Sequence, residues 1–396
     1  MIKKLYFLFF FLISLPLGAQ SVQLSDSATV SLLTNSPWNG AVYTLYGHTA
    51  IRVSDKANNL DWVFNYGVFN FNAPNFIYRF AKGETDYMLA AYPFSYYMEE
   101  RRQQDVAAYE QRLSLTQAEK QRIWDALCIN SLPENREYRY NFFFDNCATR
   151  PRDIIERGID GKITYMPVGK SQTFRDLIHE CVTDYPWVRF GIDLVIGNKA
   201  DREITDREKM FLPLYLKRAY DGAVVVSAAG AERKLVAEES LLIKGSFQNF
   251  EKTHFSPLVV GIFALIVGIA VAVLLFRGCV LPGKVYSILL FSAAGITGCI
   301  ISFLAFSSEH PATFPNWNLI WLNPLQLIIA CLIPVKYCSK AVYCYHFINF
   351  ALLSLFLLLW AFIPQHLETA FIPYVLSLWW CSGTHFVQGR LNKQKH

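Results

Sequence analysis

Two short segments hold the side chains best suited to covalent chemistry: His48 in GHTAIRV and Cys147 in FDNCATR. A thiol attacks as its thiolate, so it needs a base within reach or the positive end of a helix beside it. His48 is the candidate base. Downstream of Cys147, Ile154 and Ile155 among charged residues predict a helix that ends at Gly158. A helix start offers unpaired backbone N–H groups to a developing oxyanion. Asp145, Asn146, Thr149 and Arg150 give Cys147 a more polar setting than a thiol that merely packs would have. The plainer alternative is a small buried cysteine and a structural strand histidine, and His179 and His254 are competing bases.

A catalytic imidazole needs a third group to orient it through its other nitrogen. Asn65 is the choice here, on the run that would pair with that of His48. Arg52 and Arg150 are candidates for holding a phosphate or ester oxygen. Glu84, Asp86 and Tyr87 follow Gly83 and read as a turn. The segment 20–253 has no His/Cys/carboxylate cluster at ligand spacing, so neither a metal nor a cofactor is expected.

The elements that must position these groups follow from pattern. Residues 42–45 and 49–53 are short β-rich runs, and 61–67 alternates Trp62, Phe64 and Tyr66 against Val63 and Asn65. SDKANN between them is a turn signal, which predicts a hairpin bearing His48, with Ala50 and Arg52 on its face. Thr116 with Glu119 predicts a capped helix whose apolar stripe is Ile123, Trp124 and Leu127. Residues 138–144 read as a strand, and 222–250 as a hairpin or linker. Pro151 conflicts with a helix that starts at Cys147; either the helix starts nearer Thr149 or its first turn is distorted.

The 396-residue chain is 53% hydrophobic, and the apolar mass is concentrated past residue 255. Five stretches there, 256–276, 285–306, 317–335, 342–363 and 369–387, have about the length a bilayer requires. The loops with Arg277 and Lys284, with Lys336 and Lys340, and the tail 389–396 are basic, whereas 307–316 and 364–368 contain no Lys or Arg. The positive-inside rule puts the basic set in the cytoplasm. Residues 1–19 read as a signal peptide cleaved after Ala19, so 20–253 is expected outside the cytoplasm and 254–388 in the membrane. The net charge of +5 is thus a topology signal, and no basic stripe suggests nucleic acid. Cys128, Cys147 and Cys181 precede the apolar stretches; Cys147 is the candidate free thiol, and Cys128 could pair with Cys181. In the outer loop and the next stretch, His310, Asn316, Asn318 and Asn323 are polar for a membrane entry, with His310 and Asn316 as candidate substrate contacts.

YGHTAIRV, FNYGVFNF, FAKGETDY and YRYNFFFDNCATRPRD, in that order, resemble the periplasmic domain of the Lnb family of bacterial lipoprotein N-acyltransferases, and the five apolar stretches resemble its membrane domain. The resemblance implies an α+β fold, a circularly permuted papain-like, NlpC/P60-type domain in which the His strand precedes the Cys helix. It also implies His48 as catalytic base and Cys147 as nucleophile in an inner-membrane acyltransferase. A membrane phospholipid would be the acyl donor and a diacylated lipoprotein the acceptor. A membrane-anchored cell-wall peptidase or amidase, and a non-enzymatic receptor or assembly factor on the same fold, are the rival readings.

Overall fold

The computed structural model describes residues 22–69, 74–167, 169–246 and 255–394. The expected signal peptide 1–19 and the candidate base His254 lie outside the described residues. Among the described residues, ten strands form two antiparallel sheets: β1 Thr29–Asn35, β2 His48–Asp55, β3 Leu60–Val68, β4 Asp86–Pro93, β5 Ala108–Leu113, β6 Glu137–Arg139, β7 Lys162–Thr164, β8 Val224–Val226, β9 Glu232–Lys234 and β10 Val236–Ile243. The large sheet has the order β10-β5-β1-β2-β3-β4-β6 and the small one β7-β8-β9. Before the membrane region lie helices α1 Phe76–Lys82, α2 Phe94–Gln104, α3 Gln117–Ser131, α4 Thr149–Gly158, α5 Phe174–Cys181, α6 Pro186–Val195, α7 Asp206–Lys209 and α8 Pro213–Asp221.

Alternation explains why the large sheet is covered on both faces. Val30, Leu32, Ile51, Val53, Phe64 and Tyr66 pack with Ile123, Leu127 and Ile155 of α3 and α4. Their neighbours Leu33, Ala50 and Val63 pack on Tyr97 of α2. The predicted hairpin is present, with β2 and β3 antiparallel in the register Ile51 to Phe64 and joined through a 3-10 turn at Lys56–Asn58. The Thr116 capping box and the buried Ile123, Trp124 and Leu127 of α3 are also as expected.

Three local expectations fail. Residues 42–45 are a 3-10 turn, Val42–Tyr46, because Thr44 Oγ1 bonds the carbonyls of Trp38 and Ala41 at 2.7 Å, and Val42 and Tyr43 remain exposed. The strand expected at 138–144 stops at Arg139, and Asn141 and Asp145 instead close a tight turn with reciprocal backbone bonds of 3.0 and 2.9 Å. Cys128 and Cys181 are both free. They pack against different apolar clusters.

In the apolar third, α9 Pro257–Phe276, α10 Val280–Phe306 and α12 Ser339–Leu358 supply the membrane-crossing segments that length and composition support among the described residues. Twenty residues of α9 give about 30 Å of helix, the thickness of a hydrocarbon core. The stretch expected at 317–335 is not one helix. It is a 3-10 turn, Trp317–Ile320, followed by α11 Leu325–Leu332, interrupted at Asn323 and Pro324. Eight residues span only about 12 Å, too short to cross alone. The last stretch becomes α13, Ile372–Gln394, which is long enough but carries Ser377, Ser382, Thr384, His385 and Gln388 and continues through most of the expected tail.

Candidate active site

The FDNCATR segment is built around Asn146. Its buried Oδ1 accepts the N–H groups of Ala148 and Thr149 at 2.8 and 2.9 Å, and Nδ2 donates to the carbonyls of Phe142 and Phe211, both at 2.8 Å. Asn146 N–H in turn donates to Thr149 Oγ1 at 2.8 Å. These bonds clamp both sides of Cys147 and satisfy the orphan donors at the start of α4. The helix begins at Thr149, which resolves the conflict at Pro151: the proline is its third residue, in a first turn whose N–H groups have no intrahelical acceptor.

His48 opens β2, directly after Gly47, whose φ of 78° suits a residue without Cβ. Asn65 on β3 lies diagonally across the hairpin, and its Oδ1 is 2.5 Å from His48 Nε2. Asn65 Nδ2 donates to Tyr92 Oη on β4 at 3.0 Å, so Oδ1 is the end turned to the imidazole. Nε2 then carries the hydrogen, and Nδ1 is the basic atom. Tyr92 was not foreseen, because its position depends on β3 and β4 pairing Val63 with Tyr92.

The same end of the hairpin receives Cys147. The β2 and β3 ladder stops at Ile51 and Phe64, and beyond that stop the backbone N–H groups of Thr49 and of Cys147 itself act on the thiol to favour its thiolate. Gly67, at a φ of 91°, closes the site; a Cβ there would sit 3.4 Å from Cys147 Cβ and 3.9 Å from Tyr140 Cε2. His48 and Cys147 each keep part of their surface open. Burial pulls the His48 pKa down to about 4, Arg101 adds to the fall, and the Asn65 bond opposes it only in part. Burial also pushes the Cys147 thiol up to about 11 against the two N–H donors. Near neutral pH the resting pair is therefore thiol and imidazole, and the proton must move as the sulfur attacks.

The other candidate residues lie elsewhere in bonded roles. The Arg52 guanidinium is held by Asp61 at 2.7 and 2.9 Å and by Glu110 at 3.1 Å, and lies 3.5 Å over the Phe94 ring. Arg150 is bidentate to Asp145 at 2.6 and 2.8 Å and 3.5 Å over Tyr138. Asn316 is buried, with Nδ2 donating to the carbonyls of Leu194 and Val195 at 2.9 and 3.0 Å, and His310 Nε2 donates to Phe80 O at 3.0 Å. Each thus finds its partners within the chain, and the last two join the sheet-bearing region to the apolar helices. A cavity of about 440 Å³ lies beside the site, walled by Asn130, Phe144, Asp145, Arg150, Asp153 and Arg157, but neither His48 nor Cys147 lines it.

The chain matches the Lnb N-terminal periplasmic domain over residues 19–180 and the Lnb transmembrane domain over residues 249–393. The chain belongs to the Lnb family. It is a membrane protein with a periplasmic domain of mixed α+β structure. Comparison with curated proteins and with solved structures gives no match. In this Lnb chain the two matched regions are tied together by residues between them. The fully buried Asp193 of α6 meets Arg175 at 2.5 Å and His179 at 2.9 Å, and Arg189 bonds Glu368 in the loop before α13 at 2.7 Å. Donor atoms of His179, Asp193 and Glu368 lie within 4.8 Å of one another, a grouping that sequence spacing missed because Glu368 comes from the membrane region. Arg175 and Arg189 already neutralise these carboxylates, so the cluster reads as a docking network. His179, the other candidate base, belongs to this network, its Nε2 2.9 Å from both Asp193 carboxylate oxygens.

Proposed function

We propose that this protein is a lipoprotein N-acyltransferase of the inner membrane, using Cys147 as nucleophile, His48 as base and Asn65 as the residue that orients His48. We read the exported domain as a permuted papain-like fold, since the His strand precedes the Cys helix in the chain. The observation that carries the reading is the convergence of Cys147, two N–H donors and the end of the hairpin bearing His48 and Asn65, in a domain docked on membrane helices.

The chemistry is a two-step acyl transfer. His48 Nδ1 takes the thiol proton as the sulfur attacks the ester carbonyl of a membrane phospholipid. The N–H groups of Thr49 and Cys147 steady the negative charge on the sulfur as it attacks. The C–O bond then breaks, the lysophospholipid oxygen takes the proton back from His48, and a Cys147 thioester remains. The α-amine of a diacylglyceryl-cysteine attacks this thioester, the amide forms, the C–S bond breaks, and the amine's proton returns to the sulfur through His48. A membrane anchor suits this chemistry because extracting either lipid into water costs about 0.8 kcal/mol per CH2.

The test is mass spectrometry of the amino-terminal peptide of a lipoprotein from cells with and without this protein. The peptide should gain one N-linked acyl chain only when the protein is present; an identical mass in both would refute the activity. Orientation follows from loop charge: an impermeant label applied from the periplasm should reach a cysteine placed at the exposed His366 and not one placed at Lys340. The reverse pattern would put the site in the wrong compartment.

A further inference from the structure

Helix α1 carries Ile77, Tyr78 and Phe80 at 83%, 56% and 51% exposure, a concentration of large apolar side chains unusual for a water-facing turn of helix. It sits against the outer end of α10. Tyr78 and Phe303 rings are 6.3 Å apart, Glu309 N–H donates to Lys82 O at 2.8 Å, and Gly83 packs so closely that a Cβ would lie 3.2 Å from His310 N. The end of a membrane-crossing helix lies at the bilayer interface, so these apolar side chains of α1 lie level with the lipid. The charged groups around them are paired with one another, Arg79 with Asp86, Lys82 with Glu84 and Arg139 with Glu309.

From α1 a row of nearly parallel rings runs inward. Phe80 to Phe76 is 6.1 Å, Phe76 to Phe69 6.0 Å, Phe69 to Tyr87 4.9 Å and Tyr87 to Tyr140 4.2 Å, with interplanar angles from 11° to 29°. The row ends at Gly67, the point where Tyr140 and Cys147 converge. We propose that the open edges of this row, at the exposed Phe80 and the half-buried Phe76, Phe69 and Tyr140, with Tyr87 backing them from the core, are the binding surface for the fatty acyl chain of the donor phospholipid, leading it from the outer leaflet to Cys147. The inference rests on the acyl-transfer reading. The donor's chain is the appropriate occupant because its ester carbonyl must touch the sulfur, so the chain must extend away from Cys147 along an apolar surface. The acceptor presents an amine, and its own chains hang from the glycerol several bonds away.

Two measurements test this in full-length protein in phosphatidylethanolamine and phosphatidylglycerol vesicles. In the first, Cys147→Ala protein is illuminated with a phosphatidylethanolamine carrying a diazirine at the end of one acyl chain. Cross-links should fall on peptides containing Phe69, Phe76, Phe80, Tyr87 or Tyr140; cross-links confined to α9 through α13 would overturn the track. This readout needs no turnover. In the second, the Cys147 adduct from long-chain phospholipid is compared with that from p-nitrophenyl butyrate. Ile77→Asp should lower the long-to-short ratio by about tenfold, because a charge is placed where the apolar chain enters, and Ile77→Leu should restore it to within about twofold. An unchanged ratio in Ile77→Asp would overturn the proposal. A wild-type protein that forms no adduct from phospholipid would instead refute the acyl-transfer reading, with the cross-linking result still reporting whether the track holds lipid.

Discussion

Cys147→Ala and Cys147→Ser are each expected to abolish N-acylation while leaving the protein folded and inserted in the membrane. The loop that presents the thiol is held by Asn146, Thr149 and the Asp145 to Arg150 pair, none of which depends on the sulfur. Loss of activity can therefore be separated from loss of structure by unchanged yield, circular dichroism and size-exclusion profile. Serine is the sharper test, since it keeps size and polarity but exchanges an acidic thiol for a far weaker acid. The pH dependence of wild-type thiol chemistry follows from the same burial. With the Cys147 pKa raised to about 11, the thiolate fraction in the resting protein is small at pH 7 and grows as pH rises. Alkylation by iodoacetamide should climb steadily from pH 7 to pH 10 without levelling off. A plateau below pH 8 would mean a preformed thiolate, and near wild-type acylation by either variant would remove the covalent role of Cys147.

Much of this site could be read from sequence because its parts are local. The SDKANN turn and the alternation on either side fix the β2 and β3 register, and that register brings Asn65 to His48. The DNCAT sequence likewise contains its own scaffold, as Asn146 caps the helix that follows. Where the expectation failed, a distant partner or an unfavourable exposure decided the outcome. Arg52 reads as a free cation until β5 brings Glu110 alongside β1 and β2. Asn316 looks like a polar group waiting for lipid until the carbonyls of Leu194 and Val195 take both of its amide hydrogens. Residues 42–45 have strand-forming side chains but no sheet face to bury them, and a threonine hydroxyl turns the chain instead. The interruption at Asn323 and Pro324 is hidden by hydropathy averaging, which sees the apolar neighbours and not the missing backbone donor. Such breaks within membrane regions need surrounding protein to satisfy the freed groups, and Gln326 Nε2, donating to Trp321 O at 2.8 Å, serves that purpose here.

A thioester on Cys147 is the second large expected effect. Protein incubated with phospholipid and no acceptor should gain the mass of one fatty acyl chain on the peptide containing Cys147, and neutral hydroxylamine should remove it. His48→Ala should reduce the rate of adduct formation by roughly 10²- to 10⁴-fold, the usual contribution of a positioned general base. The expected loss is large because the resting thiol is protonated: without Nδ1 to accept the proton during attack, only the small thiolate fraction can react. That loss should shrink as pH rises toward 11, since hydroxide then does what the imidazole did. Asn65→Ala acts through His48, so its signature differs. It should slow the reaction less, by about tenfold, and shift the pH profile, because the Asn65 bond opposes the fall in the His48 pKa and its removal lowers that pKa further. A His48→Ala defect that stays constant from pH 7 to pH 10 would argue that the histidine shapes the site rather than accepting the proton. Full turnover with no adduct in rapid-quench samples would favour direct transfer between the two lipids, leaving Cys147 to position the substrate.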